Sequence, residues 1–355
     1  MSPLGYIIES VTTAVNYIAW TIIESSVSNN LSPAFILRCR IYVLHSLHSI
    51  LKWALHRITK VSQIVRISRG ADKIPYDLCI QYIIGQLFVS RRLQAPISTL
   101  LDQGDPGQLV RSVASIKSIE PDSDSMSYLQ IGHAVGILAG IHQTGRQLEE
   151  KAHKEAKKTE RNDQFLCEAY KCVSMSLDNS QEKVEKQWVK LGFQGSNPYR
   201  DFRGTGEFGL ECFYHFCTVH SQVAAKIIRE SGSSRDDFND SRPWYSCALV
   251  SIHISQYVLH LLDCNYLHKL KVLRALQIGM LVKPPEVKAF DVDSYSYEVT
   301  QKLIDQVYHL HSRLVIEFHE YWMVCVDQGI ITSVLETEFA LAQFKRLAER
   351  SSTLS

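Results

Sequence analysis

With 355 residues, 45% of them hydrophobic and 21% charged, the chain has the composition of a globular protein with a sizeable core, in one large domain or two small ones. A net charge of +1 supplies no general attraction for nucleic acid or for a strongly acidic partner. The nine cysteines are odd in number and scattered, with no Cys-x-x-Cys pair, which argues against a disulfide framework or a zinc site and suits a reducing cytosol.

Leu4, Ile7, Ile8, Val11, Val15, Ile18 and Ile22 recur every three or four residues and predict an amphipathic helix. A membrane span there would bury Glu9 and Asn16, so the helix either packs on the domain or lies on a membrane surface. The first basic residue is Arg38, so no positive charge precedes this apolar run and no secretory leader is expected. From Pro33 to Gly70 an apolar stripe (Leu37, Ile41, Leu44, Leu47, Leu51, Leu55 and Ile58) is interleaved with Arg38, Arg40, Lys52, Arg57, Lys60, Arg66 and Arg69, and no acid occurs between Glu24 and Asp72. That pattern predicts either an arm over residues 1–70 attracted to an anionic membrane surface or a packed helix with a solvated charged face.

A helix is predicted over Asp72–Gln94, broken at Gln94-Ala95-Pro96, followed by a turn at Asp102–Gly107. Glu120–Ser127 reads as a polar connector. Leu129, Ala134, Val135, Leu138 and Ile141 form a helical stripe whose Gly132, Gly136 and Gly140 permit close packing. The mixed charge run Lys151–Asp163 predicts an exposed helix supported by i, i+4 pairs. Further helices are expected over Gln181–Leu191, Glu207–Arg229, Tyr245–Leu262, Leu267–Leu281, Tyr295–Val326 and Thr332–Arg350, with a loop at Glu230–Pro243. No strand period and no internal repeat is present, so the fold class is all-α and a solenoid is disfavoured.

Between the helices that end at Leu191 and begin at Glu207 lies a window rich in glycine: Trp188-Val-Lys-Leu-Gly192-Phe193-Gln194-Gly195-Ser-Asn197-Pro198-Tyr-Arg200-Asp201-Phe202-Arg203-Gly204-Thr-Gly206. Such a loop, clamped by rigid elements, is where binding residues tend to lie. Its spacing resembles the signature of the ELMO (engulfment and cell motility) domain: a tryptophan, Gly-Phe-Gln-Gly, a dipeptide before proline, Asp-Phe-Arg-Gly, a further glycine, and then Leu210 and Phe213 on an aromatic helix. Weaker similarity extends from Asp72 to Leu347 and includes Tyr245–Leu262 and Glu317–Trp322.

The resemblance implies a single multi-helix domain over residues 72–350, with the signature loop at 188–216 and the arm over 1–70 as an N-terminal amphipathic extension. It implies a cytoplasmic regulator, peripheral on an intracellular membrane if the arm binds lipid. The activity implied is that of a GTPase-activating protein for GTP-bound Arf-family small GTPases, with Arg203 the catalytic arginine given in trans and no cofactor of its own. Trp188, Gly192, Phe193, Gln194, Gly195, Pro198, Arg200, Asp201, Phe202, Gly204 and Gly206 would shape the loop or touch the partner. The chain departs from the pattern at Asn197, where aspartate is usual, and at Arg200, where threonine is usual; both bear on partner choice. Two other readings stay open. One is a non-catalytic interaction module, as in engulfment scaffolds, although the armadillo-like repeats of those scaffolds have no counterpart here. In the other, Arg203 only holds the loop together by pairing with Asp201 or a helix C-terminus.

Other motifs lack their context. Gly140-Ile-His-Gln-Thr-Gly145-Arg146-Gln147 has Arg and Gln where a phosphate-binding loop needs Lys and Ser or Thr. Gly204-Thr-Gly206-Glu-Phe-Gly209 has no strand before it to make a dinucleotide site. His319-Glu320 lacks a second histidine at position 323, Cys212/His215 and Cys217/His220 read as core or half-buried residues, and Asp236-Asp237 has no partner at ligand spacing, so no metal site is expected.

Overall fold

The computed structural model describes residues 56–58, 62–65, 76–119, 126–174, 188–232, 242–263 and 290–350. Among them every regular element is helical, as expected for an all-α chain. The helices are α1 (Tyr76–Val89), α2 (Arg91–Gln103), α3 (Pro106–Lys117), α4 (Met126–His153), α5 (Glu160–Ser174), α6 (Gly206–Val219), α7 (Ser221–Glu230), α8 (Cys247–Asp263), α9 (Val292–Asp327) and α10 (Thr337–Arg350), with 3-10 helices at Pro198–Gly204 and Val334–Glu336. The expected membrane contact of the N-terminal arm, and the segments 120–125, 181–187, 233–241 and 267–281, lie outside the described residues. No helix among the described residues is long and apolar enough to cross a membrane.

The chain forms two compact units, one containing the described residues up to 139 with 290–297, the other 140–263 with 298–350. In the first, Ile80, Ile83, Leu87, Leu93, Leu109 and Val113 are fully enclosed. The expected break at Pro96 falls earlier. Ser90 leaves the helix and its carbonyl takes the Leu93 N–H at 2.9 Å, so α2 starts there and Pro96 lies inside its second turn. The turn before α3 is shorter than the expected Asp102–Gly107, with only Gly104 and Asp105 between the helices: Gly104 has φ 71°, Asp105 accepts the Gln108 N–H at 2.7 Å, and Pro106 takes the first helical position. Gly132 and Gly136 serve close packing. A Cβ on either would come within 2.7 Å of Phe290 or 2.6 Å of Tyr295. These two rings enclose His133, which stacks on Tyr295 at 4.6 Å and lies 3.1 Å from the Tyr76 hydroxyl.

The second unit is built around α6. This helix is apolar on nearly every side, so it is enclosed, and α5, α7 and α8 pack on it. Phe202, Phe208, Phe213, Phe216, Tyr245, Phe318 and Trp322 fill the space around it. The helix expected over Glu207–Arg229 is two helices. At His220 φ −112° and ψ 35° leave the helical region, and the turn lets α7 bury its own face of Ala224, Ala225, Ile227 and Ile228. The charge run at Lys151–Asp163 is likewise not one helix. The chain leaves α4 after His153 and runs irregularly to Thr159, whose hydroxyl caps α5 by accepting the Asn162 N–H at 3.2 Å. The Lys154 carbonyl is turned away to accept the Glu207 N–H at 2.9 Å, a tertiary bond that the i, i+4 pattern did not reveal.

Burial lowers the pKa of His133 from 6.5 to about 4. Between these values the unfolded chain takes up a proton that the folded chain refuses, so this contribution is intact above pH 6.5 and is lost as pH falls toward 4. At pH 5 the loss is on the order of 2 kcal/mol. Denaturant melts of wild type and His133→Gln between pH 7 and pH 5 should show a smaller acid loss in the variant. Parallel pH profiles would contradict this assignment.

Candidate functional site

The window from Trp188 to Gly206 is an exposed polar rim on an apolar base. Trp188, Leu191, Phe193, Pro198 and Phe202 are buried, while Gln194, Ser196, Asn197, Arg200, Arg203 and Gly204 are exposed. Trp188 meets Tyr170 of α5 edge-on at 6.3 Å, and Phe193 packs edge-on against Phe202 at 5.6 Å and Phe213 of α6 at 5.2 Å. The chain reverses at Gly192, whose φ of 93° favours glycine, and the Ser246 hydroxyl donates to its carbonyl. The Gln194 N–H donates to Asp201 Oδ2 at 2.9 Å and closes the loop on itself. Pro198 opens the 3-10 helix, the Tyr199 hydroxyl donates to Asp163 of α5, and Gly204 lies against the Gln256 side chain of α8.

Arg203 is thereby carried on the last turn of a short helix braced by α5, α6 and α8, with its side chain outward. It makes no hydrogen bond or ion pair among the described residues. Burial raises the pKa of Asp201, while the Gln194 N–H and the nearby Arg203 charge pull it down. Arg203 therefore acts on Asp201 through space without being tied to it. Beside Arg203 is an open hollow of about 280 Å³ lined by Arg200, Lys157, Lys158, Asn197, Tyr199 and Glu155. Glu155 is the single acid there and pairs with Lys157 at 3.2 Å, so the hollow keeps a positive excess suited to phosphate or acidic side chains.

Gly206 fixes where this loop ends. Its φ is 52°, and a Cβ would come within 2.4 Å of the Lys154 carbonyl and 2.5 Å of the Ala152 carbonyl, so α6 starts against the C-terminal end of α4. The first turns of α6 carry Glu207 and Glu211, both 6% exposed. Glu207 Oε1 takes Lys154 at 3.0 Å; Glu211 takes Lys151 at 2.7 Å and Arg161 at 2.6 Å, and the Tyr308 hydroxyl donates to it. Burial alone would raise the Glu211 pKa, but these partners outweigh it and lower it.

The loop-shaping residues named from the sequence are brought together, with one difference. Gly195 has neither a positive φ nor any neighbour within 4 Å of a built Cβ, so neither strain nor space demands glycine there. The sequence did not point to Lys157, Lys158, Tyr199, Asp163 or the Glu207–Glu211 pair. Lys157, Lys158 and Asp163 lie within the charge run, which is compatible with an exposed helix, and Tyr199, Glu207 and Glu211 carry no signal of their partners.

A model of the ELMO/CED-12 family matches residues 141–330. ELMO domain-containing protein B of Dictyostelium discoideum is 26% identical over 219 residues, 60% of this chain and 73% of that protein. ELMO domain-containing protein 2 of Bos taurus is 24% identical over 220 residues, 61% and 71% respectively, and its Mus musculus counterpart 20% over 275 residues, 77% and 82%. No solved structure matches the chain.

Gly206→Ala should cost at least about 3 kcal/mol, from left-handed strain and the clash with two carbonyls, whereas Gly195→Ala should change stability by about 0.5 kcal/mol or less. Urea unfolding of the two variants checks this. Equal midpoints would mean that the α4–α6 junction does not constrain the loop.

Proposed function

Because the chain belongs to the ELMO/CED-12 family, we propose that it is a GTPase-activating protein for GTP-bound small GTPases of the Arf and Arf-like group. Membership of that family supports a role in small-GTPase signalling. The finer reading rests on one observation: Arg203 is exposed and unengaged on a braced turn, beside a basic hollow.

Hydrolysis of bound GTP builds negative charge on the oxygens around the transferred phosphoryl group. A guanidinium suits that charge because it stays protonated and presents two N–H groups in a fixed plane. Bracing matters as much as charge, since a loose side chain would lose conformational freedom on every encounter. In this reading Phe193, Phe202 and Pro198 hold the turn from beneath, and Asp201, through the Gln194 N–H, keeps the loop closed. Arg200, Lys157 and Lys158 meet acidic or phosphate groups around the partner's nucleotide, and Asn197 and Arg200 select among partners. The protein does no covalent chemistry itself; the bond broken lies in the partner's nucleotide. The basic amphipathic residues between Pro33 and Gly70 would hold it on the anionic membrane where such GTPases dock.

Phosphate release from a panel of GTP-loaded Arf-family proteins tests this. Wild type should stimulate at least one of them by a factor on the order of a thousand or more. Arg203→Lys should lose that stimulation while retaining its helical content and its binding. Binding with no stimulation by the wild-type protein would instead make the chain a non-catalytic interaction module.

A further inference from the structure

Outside the arginine loop, three histidines of the second unit converge. His215 lies on α6, His220 at the turn into α7, and His309 on α9. One ring nitrogen of each lies within 4.8 Å of the others. The rings meet edge to face, with centroids 4.6 Å apart for His215 and His309, 5.7 Å for His220 and His309, and 6.0 Å for His215 and His220. No backbone pairing requires three imidazoles here, and apolar rings would fill the same space without polar atoms to satisfy.

The hydrogen bonds around the cluster determine which nitrogens are available. The Ser312 hydroxyl donates its proton to the Tyr308 carbonyl at 3.0 Å. Its oxygen, 3.1 Å from His215 Nδ1, must then accept from Nδ1–H, which leaves the lone pair of His215 on Nε2. His220 Nε2 is buried and has no hydrogen-bond partner among the described residues. An unmet buried nitrogen is destabilising, and a bound ion would satisfy it. His309 Nε2 lies 3.6 Å from Asp305 Oδ2, one turn back on α9.

We propose that His215, His220 and His309 bind a divalent transition-metal ion of the zinc class, with a fourth position left for water or a carboxylate. Imidazole nitrogens with a carboxylate or water are the donor set that borderline ions prefer. Ser312 fixes the His215 ring in the manner of an outer-shell partner. Tetrahedral zinc with bonds of about 2.1 Å needs nitrogens roughly 3.4 Å apart, so the cluster must contract. His309, whose side chain is 41% exposed, closes its own two distances by rotating inward, and His220, half-buried at the α6–α7 turn, closes on His215. The ion would tie the α6–α7 turn to the middle of α9, a staple that joins elements distant in sequence. The sequence did not reveal the set because His215 and His220 have no third ligand nearby; only the packing of α9 brings His309 to them.

The purified full-length chain, stripped with EDTA, should take up one equivalent of zinc in competition with a chromogenic chelator, and zinc should raise its melting temperature. Substituted cobalt should give the absorption of a nitrogen and oxygen site, without the intense near-ultraviolet thiolate band that the protein's free cysteines would produce. His309→Ala and His220→Ala, neither of which empties a fully enclosed position, should each weaken zinc binding at least about tenfold and abolish the thermal shift. His153→Ala, exposed at the end of α4, should do neither. The proposal is overturned if wild type takes up no zinc in competition with the chelator, or if uptake survives both substitutions.

Discussion

The second unit depends on one junction, where the N-terminus of α6 is driven against the C-terminus of α4. Unpaired N–H groups at one helix end meet unpaired carbonyls at another, and the Glu207 N–H to Lys154 carbonyl bond joins them directly. Only glycine fits at position 206, because its backbone is left-handed and a Cβ there would clash with the carbonyls of Lys151, Ala152 and Lys154. Glu207 and Glu211 are then largely buried, and their charges are compensated by Lys151, Lys154 and Arg161. Taking Glu211 out of water is costly, and short bonds from Lys151, Arg161 and Tyr308 offset that cost. The Lys154–Glu207 pair contributes less, because the lysine is 66% exposed and solvent screens it.

This junction sets both walls of the basic hollow. On one side the chain must leave α4 at His153 to free the Lys154 carbonyl, and the irregular link that follows carries Lys157 and Lys158. On the other side the start of α6 fixes the end of the 3-10 helix, and with it the position of Arg203. Arg203 is presented by packing rather than by bonds of its own. The aromatic contacts of Phe193 and Phe202 lie beneath the turn, and Asp201 is occupied by the Gln194 N–H. A guanidinium held by its backbone but free at its tip keeps its hydrogen-bonding capacity for another molecule.

Helix content and the position of the loop were legible because they depend on local spacing. The glycine-rich window, Pro106 after Asp105 and the small residues of α4 each carry their own signal. Helix ends were less so. Pro96 suggested a break that Ser90 makes instead, and the charged run at Lys151–Asp163 hid an irregular link because mixed charges at helical spacing suit both states. His220 divides what periodicity read as one helix, since the apolar pattern continues across the turn. Gly195 shows the reverse error: a glycine in a glycine-rich signature invites a conformational explanation that the backbone there does not require.

By itself the sequence determined the all-α class, the placement of one arginine between two glycine-bounded turns, and family membership, because these are properties of residue order and short-range periodicity. Tertiary structure alone decided which charges are buried together, which lysines join Arg200 and Arg203 around one hollow, and which histidines meet. Those outcomes depend on contacts between helices far apart in the chain. An isolated Glu211 or His309 carries no mark of the partner that packing brings to it.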